Sequence, residues 1–170
     1  MKGTKKLFVY FQQGQKKIIR EDGLDSLKFS EHVGKYPVVL IAPQDIELIW
    51  DGSEVRRKFF DSLLSQIDHH YLENLITYST FLKQRNSALK MFAERGQTDY
   101  DLLAGYDSKI IPSSKTIFSK RKEFIQEFVP IFQKHYQNLA DSKAENMDIQ
   151  YKSDLDAVDL DEMLRKKFGT

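Results

Sequence analysis

Residues 71–93 read YLENLITYSTFLKQRNSALKMFA. Tyr71, Leu75, Tyr78, Leu82, Leu89 and Phe92 recur at alternating steps of four and three, and Arg85 fills the remaining slot. On a helix that spacing makes an apolar seam, and a seam calls for a second helix to cover it. At a rise of about 1.5 Å per residue the segment reaches roughly 35 Å. Arg95-Gly96-Gln97-Thr98-Asp99 then supplies a helix stop and a fresh N-cap. From about residue 113 a second long segment carries Ile117, Phe124, Phe128 and Ile131 on one face, with Phe118, Ile125, Val129 and Phe132 beside it. Pro112 suits the first turn of this second helix, and Pro130 should kink it. The expectation is an antiparallel helical hairpin.

Before the hairpin the periodicity is different. Lys6 to Gln12 alternates as a strand, Gln13-Gly14-Gln15-Lys16 makes a hairpin turn, and Lys17 to Glu21 returns. Glu21-Asp22-Gly23 is another turn, and Leu27 to Val33 reads as a short helix ended by Gly34. Val38 to Ile41 is an unbroken apolar run between Pro37 and Pro43, the profile of a buried strand. Residues 53–67 read as a helix with Ser53 as N-cap. After the hairpin, 148–152 reads as a returning strand and 159–168 as a short helix. The predicted fold class is α+β and predominantly helical, with strands near 5–12, 16–21, 38–42 and 148–152 and an inserted antiparallel helical lobe. The expected organisation is a β segment over 1–50, the helical lobe over 53–140, and a return strand and helix over 141–170.

Composition narrows the classes of function. The chain has 170 residues, 41% apolar and 30% charged, with a formal net charge of +1. Bulk charge therefore gives no reason to expect nucleic acid, and any such binding must come from a local patch. With no cysteine there are no disulfides and no thiolate metal sites, which fits a reducing cytoplasm. No apolar run has the length of a membrane span, no signal-peptide pattern opens the chain, and both ends read as abrupt.

No phosphate-cradling Gly-x4-Gly-Lys-Ser/Thr motif is present; Gly34-Lys35 lacks both the upstream glycine and the following hydroxyl. Phe11-Gln12-Gln13-Gly14-Gln15-Lys16-Lys17 invites comparison with the ABC-type signature, but it lacks the serine and bridges two strands. His32, His69, His70 and His135 have no ligand spacing for a metal. Arg56 and Arg57 open a helix, where cations oppose the macrodipole. They suit phosphate, although a solvated face with an Arg57–Asp61 pair is the plainer account. Lys83 and Arg85 on the first long helix, and Lys120 and Arg121 on the second, could follow a nucleic-acid backbone; each alone reads more simply as a solvated face. Arg85 and Arg121 interrupt apolar seams. Each either snorkels at the edge of the hairpin or makes a hydrogen bond across it.

VVLIAPQDIELIWDGSEVRRKFFD, followed by Ile67-Asp68, Tyr71-Leu72, Tyr78, Leu82-Lys83-Gln84-Arg85-Asn86 and Leu89-Lys90, resembles the RecF family of DNA recombination and repair proteins. The strong part covers about 38–92, and Tyr106-Asp107, Arg121, Pro130 and Ile149 to Ser153 extend it. Gln44 stands where the family usually has Glu, Phe60 where it has Leu, and Glu54 near its proline. The resemblance implies an ATPase head of the SMC and ABC type. The full-length protein would use ATP and magnesium, dimerise with nucleotide on gapped or single-stranded/duplex-junction DNA, and work with RecR and RecO in the cytoplasm, without a membrane. It implies a nucleotide-sensing junction at Gln44 and Asp45, and phosphate or DNA contacts among Arg56, Arg57, Lys83, Arg85, Lys120 and Arg121. The phosphate loop, signature and catalytic acidic strand would lie outside these residues, so this segment alone would hold no cofactor and be inactive. The alternative is a helical hairpin that binds protein and never touches DNA.

Overall fold

A computed structural model describes residues 6–11, 13–14, 18–25, 28–140, 147–160, 162 and 164. The chain divides into two compact units, residues 1–69 and 70–170.

The first unit opens on an antiparallel sheet of three strands in sequence order. Strand β1 (Leu7–Tyr10) pairs with β2 (Ile18–Glu21), Phe8 lying opposite Arg20 and Val9 opposite Ile19. Strand β2 then turns through Asp22 and Gly23 into the two-residue β3 (Leu24–Asp25). Both turn residues have positive φ, 50° and 89°, as the tightest hairpin turn requires. Sequence reading found this turn but not the short strand beyond it. The predicted ends of the first two strands, at 5, 12, 16 and 17, lie outside the described residues. The helix expected over 27–33 is a single 3-10 turn at Phe29–His32.

Gly34 follows that turn at φ 81°, where its α-carbon packs on the backbone of Gln66; a Cβ here would sit 2.2 Å from the Gln66 carbonyl oxygen. The Gln66 amide oxygen in turn accepts from the Val38 backbone NH at 3.1 Å. Tyr36 donates to Glu21 at 2.6 Å and Lys35 pairs with the same carboxylate, so the loop is tied to β2 at one end and to Gln66 at the other.

The buried strand expected at 38–42 is not formed. Val38 to Ile41 are 69–85% exposed and join no ladder among the described residues. A β-branched run has the propensity for a strand, but a buried strand exists only between neighbours, and the described sheet ends at β3. A 3-10 turn, Pro43–Ile46, leads into the one-turn helix α1 (Glu47–Trp50) and then α2 (Ser53–Ile67). The N-cap of α2 is Gly52 rather than Ser53; Ser53 is already inside the helix, its Oγ accepting from Arg57 Nη1 at 2.7 Å.

The second unit is built on α3 (His69–Arg95) and α4 (Tyr100–Leu139). Gly96, at φ 68°, ends α3 with its NH on the Phe92 carbonyl, and the Asp99 carboxylate caps α4 by accepting from Leu102 NH at 2.9 Å. The helices run antiparallel. Phe92 and Ala88 pack with Leu103 near the tip, Phe81 meets Tyr106, Arg85 meets Asp107, and far down the hairpin Tyr71 meets Arg121. Tyr71 is fully buried.

Pro112 does not begin a helix. It lies inside α4, as does Pro130. The Asp99 cap starts the helix at Tyr100, more than three turns earlier, and the seam shared with α3 carries it across the missing NH. Thr116 donates back to the Pro112 carbonyl at 3.1 Å. The two prolines are both exposed, and 18 residues apart they lie five turns apart on the same side of α4.

Residues 148–152 do not form the expected strand either. The Asp148 carboxylate accepts from the Ile149 NH and from Gln150 Nε2, so local bonds replace a ladder. Residues 147–160 instead form a strap that runs back along α4: Gln133 bonds the Met147 carbonyl, Tyr151 meets the Phe118 ring, Lys122 pairs with Asp156, and Lys115 with Asp159. Of the helix expected at 159–168, residues 160, 162 and 164 are helical and most of the rest lies outside the described residues.

Candidate nucleic-acid interface

Within the first unit, the turn after the apolar run is built on Asp45. Its Oδ2 accepts from Ala42 NH at 2.8 Å while its own NH donates to the Ala42 carbonyl at 3.0 Å, so the carboxylate is spent on holding the turn. Gln44, next to it, is exposed. Arg56 explains one of the two cations at the start of α2. Its Nη1 donates to the carbonyls of Asp51 at 2.7 Å and Leu48 at 3.0 Å. These are carbonyls at and just past the end of α1, which its four residues cannot satisfy internally. Arg56 thus fixes the angle between α1 and α2, and the unfavourable dipole at the start of α2 is met by the favourable one at the end of α1. Arg57 is exposed and bonds Ser53. Lys58 pairs with Glu54 at 2.7 Å, and that hydrogen bond holds the Glu54 carboxyl below its ordinary range.

In the second unit, Arg85 and Arg121 both resolve to bonds across the hairpin. Arg85 is 5% exposed, and its Nε and Nη2 reach the two oxygens of Asp107 at 2.6 and 3.2 Å. A two-pronged ion pair satisfies the charge inside the seam. Arg121 Nε donates to the Tyr71 hydroxyl at 3.1 Å and lines a cleft of about 220 Å³ with Tyr78, Tyr151 and Asp154. Lys83 is exposed, and Lys120 lies 3.7 Å from Glu123. Of the six cations singled out from sequence, Arg56, Arg85 and Arg121 bond to other elements of the fold, whereas the contacts of Arg57 and Lys120 named here, to Ser53 and Glu123, lie within their own helices. Sequence reading missed the acceptors Asp107 and Tyr71. The clue was in the register: an antiparallel hairpin turning at 96–99 brings position 85 within about one turn of 107.

Replacing Tyr71 with phenylalanine keeps the ring and removes the Arg121 acceptor. It should cost about 1–2 kcal/mol of stability, read by denaturant unfolding.

The strap lays Asp156 and Asp159 on the lysines of α4. The hydrogen bond from Lys122 holds the Asp156 carboxyl below its ordinary range. A lowered carboxyl pKa means the contact is present above the unfolded value and is lost as pH falls through the folded one, so it is intact at neutral pH. No group of acidic or histidine side chains that could hold a metal is found among the described residues, and no helix among them is long and apolar enough to cross a membrane.

No protein-family model matches the chain. Curated relatives do. It is 42% identical over 166 residues to the DNA replication and repair protein RecF of Flavobacterium johnsoniae, spanning 98% of this chain and 46% of that protein. The same protein of Cytophaga hutchinsonii is 38% identical over 94% of this chain, and that of Porphyromonas gingivalis 35% over 94%. The chain belongs to the RecF family. It spans less than half the length of these RecF proteins, 46%, 42% and 43%. Among solved structures, the recombination mediator RecF determined as RecF-ATP in the RecFOR pathway matches 97% of the chain at 25% identity with a TM-score of 0.79. The RecF-ATPrS form matches 81% at 29% identity with a TM-score of 0.73. The predominantly helical α+β architecture with a small antiparallel sheet is that of RecF.

Proposed function

We propose that this chain supplies the helical lobe, and part of the nucleotide lobe, of a RecF-type protein that binds ATP with magnesium and acts at gapped or single-stranded/duplex-junction DNA. The observation that carries the reading is the likeness, over 97% of the chain, to a RecF solved with ATP. Residues 1–50 belong to the nucleotide lobe, 53–140 to the helical lobe, and 141–170 lead back. The exposed run Val38–Ile41 supports this division, because 69–85% exposure of four consecutive aliphatics is what remains of a strand whose neighbours belong to another part of a longer protein. Gln44 and Asp45 are the residues we assign to the nucleotide-sensing junction; the exposure of Gln44 beside the turn held by Asp45 supports this. Arg57, Lys83 and Lys120 are the DNA-facing cations, while Arg56, Arg85 and Arg121 hold the surfaces that present them. The whole protein dimerises with nucleotide, partners RecR and RecO, and serves recombinational repair and the SOS response in the cytoplasm.

Two titrations test this. In calorimetry the chain alone should show no tight, stoichiometric ATP binding, because the phosphate loop lies elsewhere; a 1:1 high-affinity isotherm would refute the division. In anisotropy with a gapped duplex the chain should bind in a salt-dependent manner. A flat titration, with binding to RecR retained, would move the assignment to a protein-docking arm.

A further inference from the structure

In the second unit, α3, α4 and the strap border a cleft of about 220 Å³. Its lining is mixed. The rings of Tyr78, Phe118 and Tyr151 supply aromatic walls, beside the buried Ile117 and Leu160. Arg121 and Asp154 add one cation and one carboxylate. Apolar and aromatic walls with a few converging polar groups are the usual make-up of a small-ligand site.

The polar groups here are spent differently from those elsewhere in the hairpin. Arg85 is matched by Asp107, Lys122 by Asp156 and Lys115 by Asp159. Asp154 is exposed, and among the described residues its carboxylate bonds to no other side chain. Nor does the hydroxyl of Tyr78 or Tyr151 make a hydrogen bond among them, although both residues are partly buried. The walls are held in place. Arg121 is oriented by its Nε bond to Tyr71, which is fully buried. The Tyr151 ring lies 6.0 Å from that of Phe118, and the lysine–aspartate pairs fasten the strap to α4. A preorganised cleft loses little on ordering when a ligand enters.

Size and chemistry narrow the occupant. The cleft is smaller than the roughly 300–1,000 Å³ of pockets for drug-sized ligands, so it admits one ring system, with anything attached to that ring left outside. The ring must offer flat faces to the aromatic walls, donors to Asp154 and acceptors to Arg121 and the tyrosine hydroxyls. A large aromatic side chain of a partner protein brings one polar atom at most and would leave the rest of the lining unmatched. A nucleobase meets all three demands. Guanine meets them best: its N1 and N2 hydrogens make a two-pronged pair with a carboxylate, while O6 and N7 accept.

We infer that the cleft between the hairpin and the strap takes one unstacked nucleobase, guanine in preference, with Asp154 on its donor edge and Arg121 and the tyrosine hydroxyls on its acceptor edge. This goes beyond the DNA contacts proposed above, which are made to phosphate: phosphate contacts position a strand, and the cleft reads a base. The base belongs either to an unpaired strand or to a free nucleotide, and the two sources are separated by experiment.

The test uses the whole chain and two fluorescein-labelled gapped duplexes, one with an all-thymine gap and one with a guanine at the centre of the gap. The guanine gap should bind at least about fivefold more tightly, the discrimination expected of one good two-pronged pair. The ratio cancels the electrostatic attraction common to both duplexes. Asp154→Asn should bring it close to one, because an amide offers one acceptor oxygen where a carboxylate offers two. Glu127→Gln removes the same charge from an exposed position of α4 outside the cleft and should leave the ratio unchanged. Tyr151→Phe keeps the ring beside Phe118 and should lower the ratio about twofold or more. Guanosine monophosphate, titrated alone by calorimetry, tests the other source: binding that Asp154→Asn abolishes, with no preference between the duplexes, would support the inference and assign the cleft to a free nucleotide. No preference between the duplexes together with no binding of guanosine monophosphate would overturn it, as would a guanine preference that survives Asp154→Asn. Equal binding of both duplexes leaves the DNA-contact reading standing. Binding of neither overturns that reading, and the guanosine monophosphate titration then decides the cleft by itself.

Discussion

Arg85→Ala should destabilise the helical unit by about 3–5 kcal/mol, the largest loss expected from any single side chain of the hairpin. The guanidinium is 5% exposed, and its Nε and Nη2 hold both oxygens of Asp107. Removing it strands a carboxylate that is mostly buried between two helices. Asp107→Ala removes the charged partner of a buried guanidinium and should cost a similar amount. Arg85→Lys should recover little, because an ammonium cannot span both carboxylate oxygens in the fork geometry. Arg85→Met combined with Asp107→Leu should recover most of the loss, since a buried pair and a well-packed apolar replacement are often close in energy. Urea unfolding of the four proteins checks this. A loss below about 1 kcal/mol for Arg85→Ala would show that water reaches the seam.

Gly34→Ala should cost about 3 kcal/mol or more in the first unit. Two effects combine. At φ 81° any residue with a Cβ is strained, by about 1–2 kcal/mol. At Gly34 the added carbon would also meet backbone at 2.2 Å, and backbone cannot swing aside as the end of a side chain can. Gly23→Ala is the matched control: its φ is 89°, but nothing lies within 4 Å of its would-be Cβ, so it should show the strain alone. Hydrogen exchange of the α2 amides near Gln66 would register the difference. Equal protection in the two variants would mean that Gly34 does not hold the loop to α2.

The hairpin was legible because its signal is repeated: six apolar positions at one spacing, a glycine stop, and an aspartate cap define both helices and the turn between them. The slots occupied by Arg85 and Arg121 were recognisable as anomalies. Choosing between snorkelling and cross-helix bonding needed the register, which places Asp107 and Tyr71 within reach. Pro112 was misread because a proline has the same local meaning at the start of a helix and inside one; what differs is whether tertiary packing continues across it. The runs at 38–42 and 148–152 failed for a different reason. Strand propensity is a preference for a half-buried pleated surface, and the surface itself is made by other chain segments. Where the partner was local, as across Asp22-Gly23, the turn was readable at once. The twin arginines at 56 and 57 were read as a possible phosphate site because composition cannot show that Arg56 is occupied by the carbonyls of Leu48 and Asp51.

The two prolines of α4 stand on one side, five turns apart, and each leaves a carbonyl four residues earlier without its helical partner. A rod weakened twice along the same line is not equally stiff in all directions. It bows readily in the plane that contains both weak points, convex toward solvent, and resists deflection sideways. Whatever load reaches the distal tip is therefore returned along a single direction, as in a leaf spring.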